Sequence, residues 1–239
     1  MRVGFVGVKG GTGKTTISLY IAMKLAGENK VLFIDKDLLG WGSKLLGFRG
    51  MGYCKTKGEA ISEFYKQYDN LGVLKFFGDI SSYFKCDKYF DEAKLIEIYK
   101  KYDYFIVDYG EPYLIRHNIS AKEIEFFKSE IGTRIGTVSV SDPFPPDVKE
   151  NVNMMNELSK ELNSDKVAFV INLVPPLPDE LELAREQASE IGDWCKCKTF
   201  VIPFLEELFW YRGRHSFQDI EEINHLFSYI RDYLKNKVA

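Results

Sequence analysis

The sequence predicts an α/β protein in which a mostly parallel sheet is covered by helices on both faces. Two observations lead to this prediction. Short apolar segments alternate along the chain with longer segments of helical periodicity. The short segments are hydrophobic throughout rather than on every second residue, as strands are when both faces of a parallel sheet are buried.

Seven short segments rich in β-branched and aromatic residues are predicted as strands. In chain order they are 2–8, 30–35, 71–78, 102–108, 133–141, 166–174 and 198–204. The predicted helices are 15–28, 91–101, 147–162, 178–194 and 217–236. In the first helix, Ile17, Ile21 and Leu25 are four residues apart, which is helical spacing. The least regular segment, 44–70, is expected to form an excursion of short helices or a mobile lobe.

Length and composition favour a single globular domain over residues 1–239, since no linker or internal repeat divides the chain. The net charge of −3 gives no global basic field of the kind that attracts nucleic acid, although it leaves a local basic patch open. No apolar run approaches the roughly 20 residues of a membrane-spanning helix. A cleavable signal peptide would remove the first strand, so we expect a cytoplasmic protein.

The four cysteines, Cys54, Cys86, Cys195 and Cys197, are not expected to form a disulfide framework in an intracellular chain of this size. Cys195 and Cys197 form a C-x-C pattern that would supply half of a metal site shared between two subunits. The favoured interpretation is a simple junction between a helix and a strand. No histidine lies close in sequence, and there is no second paired motif.

A glycine-rich segment, KGGTGKTT, lies between the first strand and the first helix. Its glycines allow the backbone N–H groups to turn inward, and the helix that follows adds the positive end of its dipole. The expected ligand is ATP or ADP with Mg²⁺. Lys14 is expected to reach the β-phosphate and, in ATP, the γ-phosphate, and Thr15 to offer its hydroxyl to Mg²⁺. The predicted nucleotide-contacting loop comprises Lys9, Gly10, Gly11, Thr12, Gly13, Lys14, Thr15 and Thr16.

This segment carries two lysines five residues apart, and it resembles the deviant Walker A motif of the ParA/MinD family of P-loop ATPases. The resemblance implies a three-layer P-loop NTPase fold and slow, partner-stimulated hydrolysis of ATP. In that family two ATP-bound subunits face each other, and the first lysine crosses to the phosphates of the partner. The resemblance therefore gives Lys9 the role of this signature lysine and implies a homodimer in the ATP state.

Two acidic motifs agree with the resemblance. Asp35 and Asp37 follow the second predicted strand; Asp37 is expected to orient the attacking water, and Asp35 to serve the structure and the metal. Asp108 ends a strand that resembles Walker B and is expected to hold a magnesium-bound water. The backbone of Gly110 is expected to approach the γ-phosphate. Departures from the family pattern occur at Leu38, Leu39, Trp41, Tyr109 and Glu111.

The resemblance also extends to the second half of the chain. Asn172, at the end of a predicted strand, matches the asparagine that contacts the adenine base in the family, and its amide suits a purine edge. Pro203 matches an Ile-Pro segment beside the adenine. Both residues are therefore expected at the nucleotide.

Three classes of cargo remain open, and the sequence does not name the stimulating partner protein. A ParA-like partition ATPase, the favoured class, would bind DNA non-specifically through surface cations, for which the candidates are Arg212, Arg214, Lys235 and Lys237. A MinD-like ATPase would bind a membrane through an amphipathic C-terminal helix. The apolar stripe of the last predicted helix, Ile220, Ile223, Phe227, Ile230 and Leu234, is more typical of core packing. The third class is a binding or scaffold protein that holds nucleotide as a switch, or a member of the family that handles metal or protein cargo. A small-substrate ligase or kinase of the same superfamily is a further alternative.

Overall fold

The computed structural model describes residues 1–57, 59–84, 86, 90–111, 113–116, 118–132, 134–206, 208 and 220–236. The strands are β1 (Arg2–Val6), β2 (Val31–Asp35), β3 (Tyr65–Tyr68), β4 (Leu71–Lys75), β5 (Tyr104–Asp108), β6 (Ile135–Ser141), β7 (Asp165–Val174) and β8 (Lys198–Pro203). The α-helices are α1 (Lys14–Leu25), α2 (Trp41–Leu45), α3 (Tyr53–Thr56), α4 (Ile80–Tyr83), α5 (Glu92–Tyr99), α6 (Tyr113–Arg116), α7 (Asn118–Ile131), α8 (Pro145–Glu161), α9 (Pro178–Cys195) and α10 (Glu221–Asn236).

These strands form one sheet in the order β3-β4-β2-β5-β1-β6-β7-β8. Every neighbouring pair is parallel except β3 and β4, which are antiparallel. The predicted fold class, a mostly parallel α/β sheet, is confirmed, and all seven predicted strands belong to this sheet. Because parallel strands end at the same edge, the loops that follow β1, β2, β5, β7 and β8 lie along one edge, where α/β proteins bind ligands.

Alternate residues of each central strand pack against different helical layers. In β2, Val31 and Phe33 join the core that contains α1 and α10, whereas Leu32 and Ile34 join the core that contains α5 and α7. A smaller cluster lies between α8, α9 and β7. The apolar character of both strand faces, from which the fold was predicted, is therefore explained by helices on both sides of the sheet.

Several elements were missing from the sequence prediction, namely β3, α7 and the short helices α2, α4 and α6. The short strand β3 pairs with β4 at the edge of the sheet, and a turn at Asp69, whose φ is +51°, connects them. The helix α7 fills much of a segment for which no helix was predicted. The segment 44–70 contains short helices as expected, with α3 and a 3-10 turn at Ile61–Glu63, but it also contains the unpredicted β3.

The expectation that the cysteines would not form disulfides is wrong. Cys54 is bonded to Cys86, and Cys195 to Cys197, with Cα atoms 4.7 and 5.4 Å apart. The fold brings each pair within the range that a disulfide requires. Because Cys195 and Cys197 are bonded to each other, the structure also gives no support to a metal site built on this pair. Disulfides persist in oxidising compartments and in the intracellular proteins of hyperthermophiles.

The apolar stripe of the C-terminal helix is part of the protein core. Ile220, Ile223, Ile230 and Leu234 are buried, and Phe227 packs against the same core cluster as α1. Among the described residues, no helix is both long enough and apolar enough to cross a membrane. Of the candidate DNA-binding cations, Lys235 is exposed at the end of α10; the others, Arg212, Arg214 and Lys237, lie outside the described residues.

Candidate nucleotide-binding site

The glycine-rich loop between β1 and α1 has the conformation that its sequence requires. Gly11 and Gly13 have φ values of +81° and +88°, a region that favours glycine. A Cβ atom on Gly13 would lie 2.2 Å from the side-chain nitrogen of Asn172. The Gly13 carbonyl accepts a hydrogen bond of 3.0 Å from the Ile17 amide, and α1 begins with Lys14. The loop therefore leads directly into the N-terminus of a helix, a common arrangement for binding anions.

The ammonium group of Lys14 lies across this loop. It is almost fully buried and donates a 2.6 Å hydrogen bond to the carbonyl oxygen of Lys9. Burial lowers the pKa of Lys14, and the nearby carboxylates of Asp108, Glu111 and Asp37 oppose that shift. Lys14 is therefore a poorly hydrated cation held beside the open side of the loop.

Thr15 and Asp108 meet at the end of β5. The Thr15 hydroxyl donates a 2.5 Å hydrogen bond to Asp108 Oδ2, and the Gly110 amide donates to Asp108 Oδ1 at 3.3 Å. Burial raises the pKa of Asp108 to about 6, with the Thr15 hydrogen bond acting in the opposite direction. The two residues place hydroxyl and carboxylate oxygens together, and Mg²⁺ prefers oxygen ligands of this kind.

Asp35 lies beside Asp108 in the register of β2 and β5, but both of its oxygens have protein partners. The Ser43 amide and hydroxyl each donate to Asp35 Oδ2 at 2.7 Å, and the Asp37 amide donates to Oδ1 at 3.2 Å. Burial raises the pKa of Asp35 to about 7. Asp35 thus anchors α2 to the end of β2, whereas its role at the metal stays a prediction.

Asp37 lies where its carboxylate faces the loop. Its Oδ1 accepts hydrogen bonds from the amides of Leu39, at 2.9 Å, and Trp41, at 3.3 Å. Gly110 packs so closely that a Cβ on it would lie 3.1 Å from the Cα of Asp37. Asp37, Gly110 and Glu111 line a cleft of about 490 Å³ together with Lys14 and the glycine-rich loop. The phosphate-side residues predicted from separate parts of the sequence therefore come together.

A second compartment, of about 670 Å³, adjoins this cleft and contains Asn172 and Pro203. The side-chain amide of Asn172 donates a 2.8 Å hydrogen bond to the Thr12 carbonyl and so connects β7 to the loop. Among the described residues, the buried Thr12 hydroxyl has no hydrogen-bond partner. The two compartments together form an elongated site of the shape that a nucleotide requires, although contact with adenine stays a prediction.

Lys9, the other lysine of the motif, points away from the cleft. Its side chain is 44% exposed, and its ammonium group forms ion pairs with Asp142, at 2.6 Å, and with Asp147. These hydrogen bonds raise the pKa of Lys9. Sequence reasoning did not identify the two aspartates, because each lies more than a hundred residues away along the chain. Asp142 directly follows β6, and Asp147 is in the first turn of α8.

Helix α8 also fixes the start of the loop. The buried side chain of Asn151 accepts a 3.0 Å hydrogen bond from the Val8 amide, and its nitrogen donates to Ser141 Oγ and to the Asp147 carbonyl. Asn151 was not among the predicted site residues. Its position holds the backbone of Val8 next to the junction of β6 and α8, where Asp142 and Asp147 lie.

Behind the site lies a cluster of buried ionic groups, which we call the buried ionic cluster and define as Arg2, Lys36, Tyr99, Tyr109 and Glu123. Arg2 binds both oxygens of Glu123, at 2.7 and 2.8 Å, and Lys36 binds one of them at 2.6 Å. Tyr99 donates to Glu123, and Arg2 donates to the Tyr109 hydroxyl at 2.8 Å.

Sequence adjacency connects the buried ionic cluster to the site, because Lys36 separates Asp35 from Asp37 and Tyr109 follows Asp108. Burial lowers the pKa of Lys36 to about 8. Burial of Glu123 acts against its ionised form, but the charges of Arg2 and Lys36 outweigh it and hold the pKa of Glu123 at about 2. All three groups are therefore ionised at neutral pH within the core.

Comparison with known proteins agrees with this geometry. The family model described as the CobQ/CobB/MinD/ParA nucleotide binding domain matches residues 3–215. This match confirms the family resemblance predicted from the sequence. An uncharacterised ATP-binding protein of Methanocaldococcus jannaschii is 30% identical over 117 residues, which cover 46% of this chain and 44% of that protein. The chain therefore matches less than half of the length of this relative.

Two solved structures cover almost the whole chain. The cell division ATPase MinD of Pyrococcus furiosus has a TM-score of 0.69 and 21% identity, with 97% of this chain and 98% of that chain covered. A plasmid partition protein of Borrelia burgdorferi B31, bound to AMPPNP, has a TM-score of 0.65 and 17% identity, with 98% of each chain covered. At these identities the two structures establish similarity of fold.

Proposed function

Because the chain belongs to the family of CobQ/CobB/MinD/ParA nucleotide-binding domains, we propose that it is an ATP-binding and ATP-hydrolysing switch that dimerises with ATP. One observation supports this function above the others. Lys14 and Thr15 at the start of α1, Asp37 just after β2 and Asp108 at the end of β5 meet around one glycine-rich loop. Such an arrangement suits phosphoryl transfer, in which the protein acts mainly by positioning and by electrostatic stabilisation.

Some residues of the cleft bind the nucleotide and its metal ion, and others act in catalysis. The inward N–H groups of the loop and the ammonium group of Lys14 bind the phosphates. Thr15 and Asp108 would hold Mg²⁺, Thr15 by direct contact and Asp108 through a bound water. When bound, Mg²⁺ neutralises charge on the β- and γ-phosphates.

Asp37 is proposed to orient the attacking water. Its carboxylate lies at the rim of the phosphate cleft, and the amides of Leu39 and Trp41 fix one of its oxygens. The second oxygen remains directed toward the cleft side near Gly110, 3.4 Å from where a Cβ of that residue would be. A carboxylate held in this way can accept a proton from water as the γ-phosphate is attacked.

Lys9 is proposed to act on the partner subunit. Its exposed ammonium group lies outside its own cleft, where it pairs with Asp142 and Asp147. In a face-to-face dimer two triphosphates repel each other, and a lysine exchanged across a two-fold axis would supply each with a counter-charge. Lys9 would then leave its two aspartates for the triphosphate of the partner. Dimerisation would therefore depend on bound ATP, and hydrolysis would depend on dimerisation.

Among the cargo classes, we propose a ParA-like partition or positioning role in the cytoplasm. The apolar stripe of α10 is packed into the core, so it is unsuited to insertion into a lipid surface without unfolding of that helix. A MinD-like membrane role and a protein- or metal-handling role are the alternatives.

Isothermal titration calorimetry with Mg-ATP tests nucleotide binding. Lys14→Ala is expected to lose measurable binding, because the phosphate contact and its charge disappear together. Lys122→Ala, an exposed lysine on α7, is the matched control and is expected to bind as wild type does. If Lys14→Ala keeps wild-type affinity, the cleft is not a phosphate site.

Co-sedimentation with DNA and with anionic vesicles, each with ADP and with ATP, tests the cargo class. ATP-dependent binding to DNA, weakened by added salt, supports the ParA-like role. ATP-dependent binding to vesicles alone contradicts it in favour of the MinD-like role. Binding to neither leaves the protein- or metal-handling class as the better description.

A further inference from the structure

We propose that the side chain of Trp41 forms part of the wall against which the nucleoside half of ATP binds, so that it sets nucleotide affinity in this chain. The inference rests on the proposed ATP-binding function and adds a contact that the family pattern does not supply. Trp41 is one of the positions at which the chain departs from the family pattern.

The position of Trp41 in the site is the first reason. The phosphate cleft and the Asn172 compartment share four lining residues, which are Gly11, Gly13, Thr16 and Trp41. Of these, Trp41 alone has a large side chain. A ligand that extends from the phosphates at Lys14 to Asn172 must pass this shared boundary, so its sugar or base comes next to the indole.

The exposure of Trp41 is the second reason. The residue is 53% exposed, although tryptophan is usually well buried on average. The ammonium group of Lys44 lies 4.9 Å from the centre of the indole ring, which helps to hold the ring at the boundary. The remaining exposed surface of the ring is available for stacking, an interaction that any base or sugar face can make.

The backbone of Trp41 has a separate role, which makes the inference testable. Its amide donates the 3.3 Å hydrogen bond to Asp37, and this bond survives any side-chain substitution. The helix that begins at Trp41 is anchored by the hydrogen bonds from Ser43 to Asp35. Removal of the indole should therefore weaken nucleotide binding while the carboxylate that acts on water stays in place.

The decisive measurement is the dissociation constant for Mg-ATP of Trp41→Ala and Trp41→Phe, with KM and kcat measured in parallel. Loss of base stacking by alanine substitution is expected to weaken binding by roughly 5- to 100-fold. KM should rise with it while kcat changes by less than about threefold, because the lost contact is the same in the ground and transition states. Trp41→Phe keeps an aromatic face and should recover most of the affinity.

Trp194→Ala is the matched control, since Trp194 is 48% exposed on α9 and is in the lining of neither compartment. It is expected to bind Mg-ATP as wild type does. Affinity of Trp41→Ala within about twofold of wild type, or a fall in kcat with unchanged KM, would overturn the inference. Failure of wild type itself to bind ATP would instead contradict the proposed function.

Fluorescence gives an independent readout. The chain has three tryptophans, so the double variant Trp194→Phe/Trp210→Phe leaves Trp41 as the sole indole. Its emission is expected to change on titration with Mg-ATP, with a midpoint equal to the calorimetric dissociation constant. Saturating ATP without any change in emission would show that the indole does not contact the nucleotide.

Discussion

The substitution Glu123→Gln tests whether the buried ionic cluster stabilises the fold behind the site. Glu123 accepts hydrogen bonds from Arg2, Lys36 and Tyr99, and it is the one carboxylate among them. Glutamine has nearly the same shape but no charge. Arg2 and Lys36, both fully buried, would then face each other without a counter-charge.

The size of the effect follows from this geometry. Removing one partner of a buried ion pair typically costs about 3–5 kcal/mol, because an uncompensated charge stays in the core. Whole domains are stable by only about 5–15 kcal/mol, so this loss is a large share of the total. At roughly 2–4 °C per kcal/mol for a chain of this size, we expect the melting temperature to fall by about 6–20 °C.

Thermal and urea unfolding, followed by circular dichroism, measure this loss. Glu125→Gln is the matched control, because Glu125 lies on the exposed side of the same helix. We expect the control to stay within about 0.5 kcal/mol of wild type. If Glu123→Gln is no less stable than Glu125→Gln, the ion pairs do not stabilise the fold.

The dependence of the free energy of unfolding on pH in the acid range is a second test of the contribution of Glu123. Its pKa is lowered from 4.5 to about 2 in the folded state. The stabilisation is therefore complete above pH 4.5 and is lost as the pH falls toward 2, because the unfolded chain takes up the proton first. Glu123→Gln should lack this part of the acid sensitivity.

Two further predictions concern the carboxylates of the site. Asp37→Ala is expected to keep Mg-ATP affinity within about threefold and to lower kcat by roughly 10²- to 10⁴-fold, since Asp37 is proposed to act on the water rather than on bound ATP. Lost affinity in calorimetry with normal turnover of bound ATP would disprove that role. Asp35→Asn is expected to flatten the pH dependence of stability between pH 4 and 7, measured by thermal melts in EDTA. Burial raises the pKa of Asp35 from 3.8 to about 7, so the folded state binds more protons in that window and wild type loses stability as the pH rises. If the stability of wild type and that of Asp35→Asn fall equally as the pH rises from 4 to 7, this explanation is wrong.

The sheet and the phosphate loop were predictable because the sequence patterns that indicate them lie within a few consecutive residues. A strand buried on both faces is continuously apolar, and the turn at Gly11 and Gly13 needs glycine whatever surrounds it. The helix α7 was not predicted because its buried face includes Glu123, a charge that interrupts the apolar stripe. Only the distant Arg2 and Lys36 explain why a glutamate can occupy that position.

Other features depended on contacts that no local pattern contains. The strand β3 has only four residues, two of them polar, and it is held by its pairing with β4. Cys54 and Cys86 are 32 residues apart, and their disulfide follows from the packing of α3. Asp142 and Asp147 become partners of Lys9 only because β1 and β6 are neighbours in the sheet.

Light scattering of wild type and Lys9→Ala with a non-hydrolysable ATP analogue is the most direct test of an ATP-dependent dimer. Wild type is expected to have twice the 27.6 kDa mass of one chain with the analogue and the mass of one chain with ADP. Lys9→Ala is expected to bind the analogue, remain a monomer and hydrolyse ATP poorly, since the lysine is proposed to act across the interface. A Lys9→Ala protein that dimerises and turns over ATP as wild type does would contradict the proposal, because Lys9 would then be only a surface lysine paired with Asp142 and Asp147.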